Sequence, residues 1–75
     1  MGEQEELHRV VCHLDKILAE REMTLVELSN LVGITVANLS ILKNDRARAI
    51  RFSTLTSICD ALDVQPGDLF TIDPP

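Results

Sequence analysis

The chain contains no tryptophan and no tyrosine, and phenylalanine stands only at Phe52 and Phe70. A platform that stacks single-stranded bases needs several aromatics on one face. Two aromatics that must also serve a core do not supply one. Cysteine is equally scarce: Cys12 and Cys59 lie far apart and match no metal spacing. His8 and His13 sit five apart on one segment, so four ligands do not converge as a structural zinc requires. No metal or cofactor is expected, and two such thiols fit a reducing cytoplasm. No run reaches the ~18 apolar residues of a membrane span. The first residues, Met1-Gly2-Glu3-Gln4-Glu5-Glu6, are acidic where a signal peptide is basic. A cytoplasmic protein without a membrane partner is therefore expected. Basic residues are also in the minority, 7 against 12 acidic, for a net charge of −5. On that balance alone a nucleic-acid partner is disfavoured, because such domains are usually basic.

What is present is 75 residues, 45% of them apolar and 25% charged, as in ordinary soluble domains. That length holds one small domain with a thin core and excludes a two-lobed enzyme. The acids Glu3, Glu5, Glu6, Asp60, Asp63, Asp68 and Asp73 are expected to solvate the surface. Asp68 also sits where a carboxylate favours a helix start. Ser40, Ser53 and Ser57 lack a His or Lys pattern that would make a nucleophile. No catalytic cluster is expected, and so no enzyme.

Leu7, Val10, Val11, Leu14, Ile17 and Leu18 fall at steps of three and four and predict a helix from about residue 5 to 21. Thr24 reads as an N-cap, and Glu27 three residues later completes a capping box. Gly33 ends that helix after Leu28, Leu31 and Val32. Thr35 is a second N-cap, and Leu39 and Leu42 give its helix an inner stripe up to Asn44-Asp45. Residues 45–51 form a basic loop. Phe52 or Ser53 opens a helix with Leu55, Ile58, Cys59 and Leu62 inside, and Pro66 starts a last short turn. No strand pattern appears, and residues 1–6 and 71–75 are expected to be flexible tails, with 71–75 extended. The prediction is one all-α domain of five helices over residues 1–75.

Residues 24 to 44 are the informative unit. Two short capped helices meet across Gly33 and Ile34, which requires a steep crossing, and Ser29 is the small residue at their contact. That is the arrangement of a helix-turn-helix, whose second helix can enter the major groove. Glu27-Leu28-Ser29, Gly33-Ile34-Thr35 and Asn38-Leu39-Ser40-Ile41-Leu42-Lys43-Asn44 resemble the Cro/phage-repressor (XRE) class. So does the later run from Phe52 through Leu55, Ile58-Cys59, Ala61-Leu62, Val64 and Pro66-Gly67-Asp68-Leu69. The stretch from Ala37 to Asn44 with Ala47 to Leu55 is similar to the small YozG-like subgroup. The resemblance covers about residues 14–70 and implies a lambda-repressor-like, sequence-specific DNA-binding regulator, commonly dimeric.

By that resemblance Thr35 caps the recognition helix and touches phosphate. Val36, Ala37 and Ile41 stand where relatives often carry Gln, Arg or Ser against base edges. Apolar groups make no bidentate base pairs but do pack on thymine methyls. Asn38 and Ser40 are the polar candidates for base or phosphate. Lys43 helps to orient the helix, and Asn44, Arg46, Arg48 and Arg51 follow the phosphate backbone. Leu25 replaces the Gln that many relatives carry there. Part of Leu25, Val26 and Leu31, with the first or last helix, is expected to bury into a homodimer. A dimer implies two recognition helices about one DNA turn (~34 Å) apart and a pseudo-palindromic operator. The apolar recognition face also fits a second reading, a helix-turn-helix scaffold that binds a protein partner, such as an antitoxin or antirepressor.

Dividing the chain resolves the charge objection. Residues 33–56 carry Lys43, Arg46, Arg48 and Arg51 against Asp45, a balance of +3. Residues 1–32 and 57–75 each carry −4. At ~0.15 M salt the screening length is ~8 Å, so a bound phosphate senses mainly the basic strip.

Overall fold

A computed structural model describes residues 8–44 and 46–74. Leu14, Ile17 and Leu18 form the buried stripe of α1 (Leu14–Glu20). The expected first helix is therefore shorter than its apolar pattern; its proposed start near residue 5, with Leu7, lies outside the described residues. Val10 and Val11, read as helical, belong to strand β1 (Val10–Cys12). They pair antiparallel with β2 (Phe70–Ile72), in the register Val10 with Ile72, Val11 with Thr71 and Cys12 with Phe70. The ladder continues at both ends: the His13 amide donates to the Leu69 carbonyl at 2.7 Å and the Asp73 amide to the Arg9 carbonyl at 2.8 Å. The expectation of no strands fails here, and residues 71 and 72 are held in the sheet rather than in a flexible tail. The cause is non-local. Val-Val-Cys fits a helix stripe or a short strand, and only its partner sixty residues away decides between them.

The local chemistry elsewhere builds the expected helices. In α2 (Leu25–Val32) the Thr24 hydroxyl accepts from the Glu27 amide at 3.0 Å, and the Glu27 carboxylate accepts from the Thr24 amide at 2.8 Å. Each bond satisfies one donor that a helix start leaves unpaired. Gly33 ends α2 in the left-handed region at φ +71°, with its amide on the Ser29 carbonyl. Thr35 then caps α3 (Val36–Lys43) through the Asn38 amide at 3.1 Å. The chain turns by 117° between α2 and α3. α4 spans Phe52–Leu62, and α5 spans Pro66–Leu69 with the Gln65 amide on the Asp68 carboxylate. The five expected helices are thus present, and a minor two-stranded sheet is added to them.

One apolar cluster holds the helices together. Leu14, Leu28, Leu39, Ile58, Leu62 and Leu69 are each no more than 1% exposed, so every helix contributes to one core. Ile34, Ile50 and Phe70 pack against it half-buried. The core therefore fixes the turn after α2, the loop after α3 and the sheet from one side. Arg21 adds a polar tie: its guanidinium donates from Nε to the Leu62 carbonyl at 3.0 Å, closing the end of α4 onto α1.

Candidate nucleic-acid interface

α3 has eight residues, and its core contacts use only Leu39 and Leu42. The rest of its surface divides into two stripes at helical spacing. Ala37, Ile41 and Asn44 stand at successive steps of four and three, all exposed, with Ile41 at 44%. Asn38 is exposed beside them. Val36, Ser40 and Lys43 form the second stripe, nearer to α1. Ser40 and Lys43 are half-buried, and the Lys43 ammonium lies 3.7 Å from the Asp15 carboxylate on α1. The outermost stripe is thus apolar with one amide at its end, and Lys43 already faces an anion.

The hinge that presents this helix is built from side chain to backbone. Ser29 is half-buried, and its hydroxyl donates to the Ile34 carbonyl at 2.6 Å. This bond ties α2 to the first residue after the glycine turn. Thr35 is exposed, and its oxygen is occupied by the Asn38 amide. That bond leaves its hydroxyl proton free to donate to a further acceptor such as a phosphate.

Beyond α3 the Asn44 amide returns to the Ser40 carbonyl and the Arg46 amide to the Ile41 carbonyl, both at 3.0 Å. The loop therefore leaves α3 in a tight wrap. Ala47 and Ile50 turn inward and pack on the core, whereas Arg46, Arg48 and Arg51 are exposed. Apolar anchors between cations hold three guanidinium groups outward on a short loop. Among the described residues none of the three forms an ion pair. Arg51 is also the N-cap of α4 and makes no side-chain cap, so the first amides of that helix are left for other acceptors. An uncapped helix start beside three arginines favours an anion. Sequence reading missed this element; its signal was Arg51 where a Ser, Thr, Asp or Asn would cap.

Every expected site residue therefore lies on α3, at its Thr35 cap, or on the loop that follows it. The structure brings Thr35, Ala37, Asn38, Ile41 and Asn44 to the exposed side of α3. It puts Val36, at 38% exposure, on the flank with Ser40 and Lys43.

A chain match follows from this geometry. Residues 13–75 match the model of the Cro/C1-type helix-turn-helix DNA-binding domain. The chain belongs to that family. It is 58% identical over 60 residues to a Bacillus subtilis (strain 168) protein, the uncharacterized HTH-type transcriptional regulator YozG. That alignment covers 80% of this chain and 71% of the relative. The fold also superposes on the crystal structure of the transcriptional regulator VanUg, Form II, with a TM-score of 0.74 at 27% identity. The superposition covers 96% of this chain and all of that one. DNA-binding transcriptional regulation is the function that the fold, the motif and these relatives support together.

Among the described residues no three His, Cys, Asp or Glu side chains are grouped to hold a metal ion. Burial, then the nearby Asp60 and Asp68 carboxylates, pushes the Cys59 thiol up, which favours its protonated form. The Ser57 hydroxyl is engaged with the Ser53 carbonyl at 3.0 Å. No single helix among the described residues is long and apolar enough to cross a membrane.

Proposed function

We propose that this protein is a non-enzymatic, sequence-specific DNA-binding transcriptional regulator that places α3 in the major groove and the loop of residues 44–51 on phosphates. The observation that carries the reading is the alternation in that loop. Ala47 and Ile50 are pinned to the core, while Arg46, Arg48 and Arg51 are exposed on the loop that follows α3. Phosphate contacts supply most non-specific affinity and set the register of the helix.

Base selection then falls to α3. Ala37 and Ile41, with Val36 on the flank, offer methyl-sized apolar contacts, and these suit the C5 methyl of thymine. Asn38 and Asn44 are the exposed amides for a base or phosphate edge. Thr35 and Ser40 supply hydroxyls near the backbone, and Lys43 exchanges Asp15 for a phosphate as the duplex docks. The protein acts as a homodimer on a pseudo-palindromic site, with half-sites about one turn (~34 Å) apart. Two linked half-sites raise the affinity of a domain that makes few polar base contacts. The scaffold reading, with a protein partner in place of DNA, is less favoured because the cationic loop and the family both point to a polyanion.

Selection of bound duplexes from a random DNA pool tests the assignment of α3. The expected product is a two-fold repeat with thymine at the inner positions of each half-site. Replacing each such thymine by deoxyuridine, which removes only the methyl, is expected to weaken binding about four-fold per position, since one buried methyl group is worth ~0.8 kcal/mol. A pool that converges on no sequence, or an operator indifferent to deoxyuridine, overturns the assignment.

A further inference from the structure

Of the two aromatics, the fold uses one. Phe70 packs half-buried on the core, whereas Phe52, the first residue of α4, is 84% exposed. No other large apolar side chain described is as open; Ile72 follows at 67% and Leu31 at 62%. Phe52 also does not stand alone. A groove of about 290 Å³ lies along α4, lined by Phe52, Leu55, Thr56, Cys59 and Asp60 and, past the helix end, by Val64, Gln65 and Pro66. Phe52 marks one end of this groove and the Val64–Pro66 turn the other.

We propose that this groove receives α4 of a second copy of the chain, in an antiparallel two-fold pair. The inference rests on the dimeric reading above and names its interface. Three observations fit a second copy. First, knob and hole lie at opposite ends of one helix, about 16 Å long for eleven residues. A two-fold axis across its middle carries each Phe52 to the Val64–Pro66 end of the other copy, so both knobs are seated by one operation. Second, the groove carries one charged side chain, the exposed Asp60 in the last turn of α4. Antiparallel pairing brings each Asp60 toward the positive end of the other helix and opposes the helix dipoles, whereas parallel pairing sets like ends together. Third, the middle of the face is uncharged. The Thr56 hydroxyl is turned back onto the Phe52 carbonyl at 2.8 Å, so it demands no bond from the partner.

This surface differs from the α2 face of Val26 and Leu31 that the sequence pointed to. Those two residues are 57% and 62% exposed but stand five apart on α2, on different sides of the helix. The shallow surface near Leu31 is rimmed by Arg21, Glu22, Glu27 and Asn30. A polar rim without an aromatic anchor is the poorer centre for an interface.

Sedimentation equilibrium of the full chain from about 1 to 100 µM tests the proposal. The wild type is expected to dimerise, and Phe52→Glu to weaken the dimer at least ~30-fold, the loss expected of an aromatic anchor. Leu31→Glu is expected to leave it unchanged. Phe52 is 84% exposed, so the variant should retain its helical circular dichroism. Thr56→Cys is expected to cross-link two chains under mild oxidation, and Leu31→Cys is not. A dimer that survives Phe52→Glu, or that cross-links through Leu31→Cys instead, overturns this interface while leaving a dimer in place. A chain that stays monomeric at 100 µM overturns both.

Discussion

Single residues set the hinge on which α3 is hung. Gly33 sits at φ +71°, and a Cβ built there meets nothing within 4 Å. The penalty for a side chain is thus backbone strain rather than a clash. Gly33→Ala is expected to lower stability by about 1 kcal/mol in urea unfolding, the usual penalty for a left-handed alanine. Asp15 works against function in the opposite sense. Its carboxylate holds Lys43 at 3.7 Å with Asp15 itself 79% exposed, so the pair adds little to stability. Asp15→Asn should leave the melting temperature nearly unchanged and tighten DNA binding a few-fold, read by fluorescence titration at low salt. The hinge was legible in the sequence because each part is a local rule: Thr24 with Glu27, Gly after the helix, Thr35 before the next. The Lys43–Asp15 pair was not, because a contact between helices 28 residues apart leaves no mark on either segment.

At the scale of elements, α3 and the sheet show opposite outcomes of reading by period. For α3 the period worked. Leu39 and Leu42 are buried as expected, and what remained was a mostly apolar outer surface that core packing does not explain. For residues 10 to 12 the period misled, since the same apolar spacing serves a strand whose partner is β2. The sheet also has an unexpected structural role. His13 Nε2 lies 2.6 Å from the Thr71 hydroxyl, and the ladder joins the start of α1 to the end of α5. Stopping the chain after Leu69 strips β2 from Val10 and Cys12 and removes the ladder. Such a truncation is expected to lower the thermal midpoint by several degrees, roughly 4–8 °C for each kcal/mol lost in a domain this small. A midpoint within a degree of the full chain would show that residues 71–75 are the tail they resembled in sequence.

The whole molecule carries a net charge of −5 and is still built to meet a polyanion, because its charge is divided. The acidic excess lies on residues 1–32 and 57–75, and three of the seven cations lie on the loop after α3, with Lys43 at the end of that helix. Such a distribution limits non-specific binding and leaves one docking face, which suits a regulator that must leave most of a genome alone. The position of the three arginines is the central claim, and salt dependence reads it directly. Each neutralised phosphate contributes about −0.9 to the slope of log K against log salt on B-DNA. Titration of the selected operator across 50 to 300 mM salt, with the wild type and with Arg46→Ala, Arg48→Ala and Arg51→Ala combined, is the decisive measurement. If the loop grips the backbone, the triple variant binds far more weakly and its slope per protomer is shallower by about 2.7. An unchanged slope would contradict the placement of this loop on DNA.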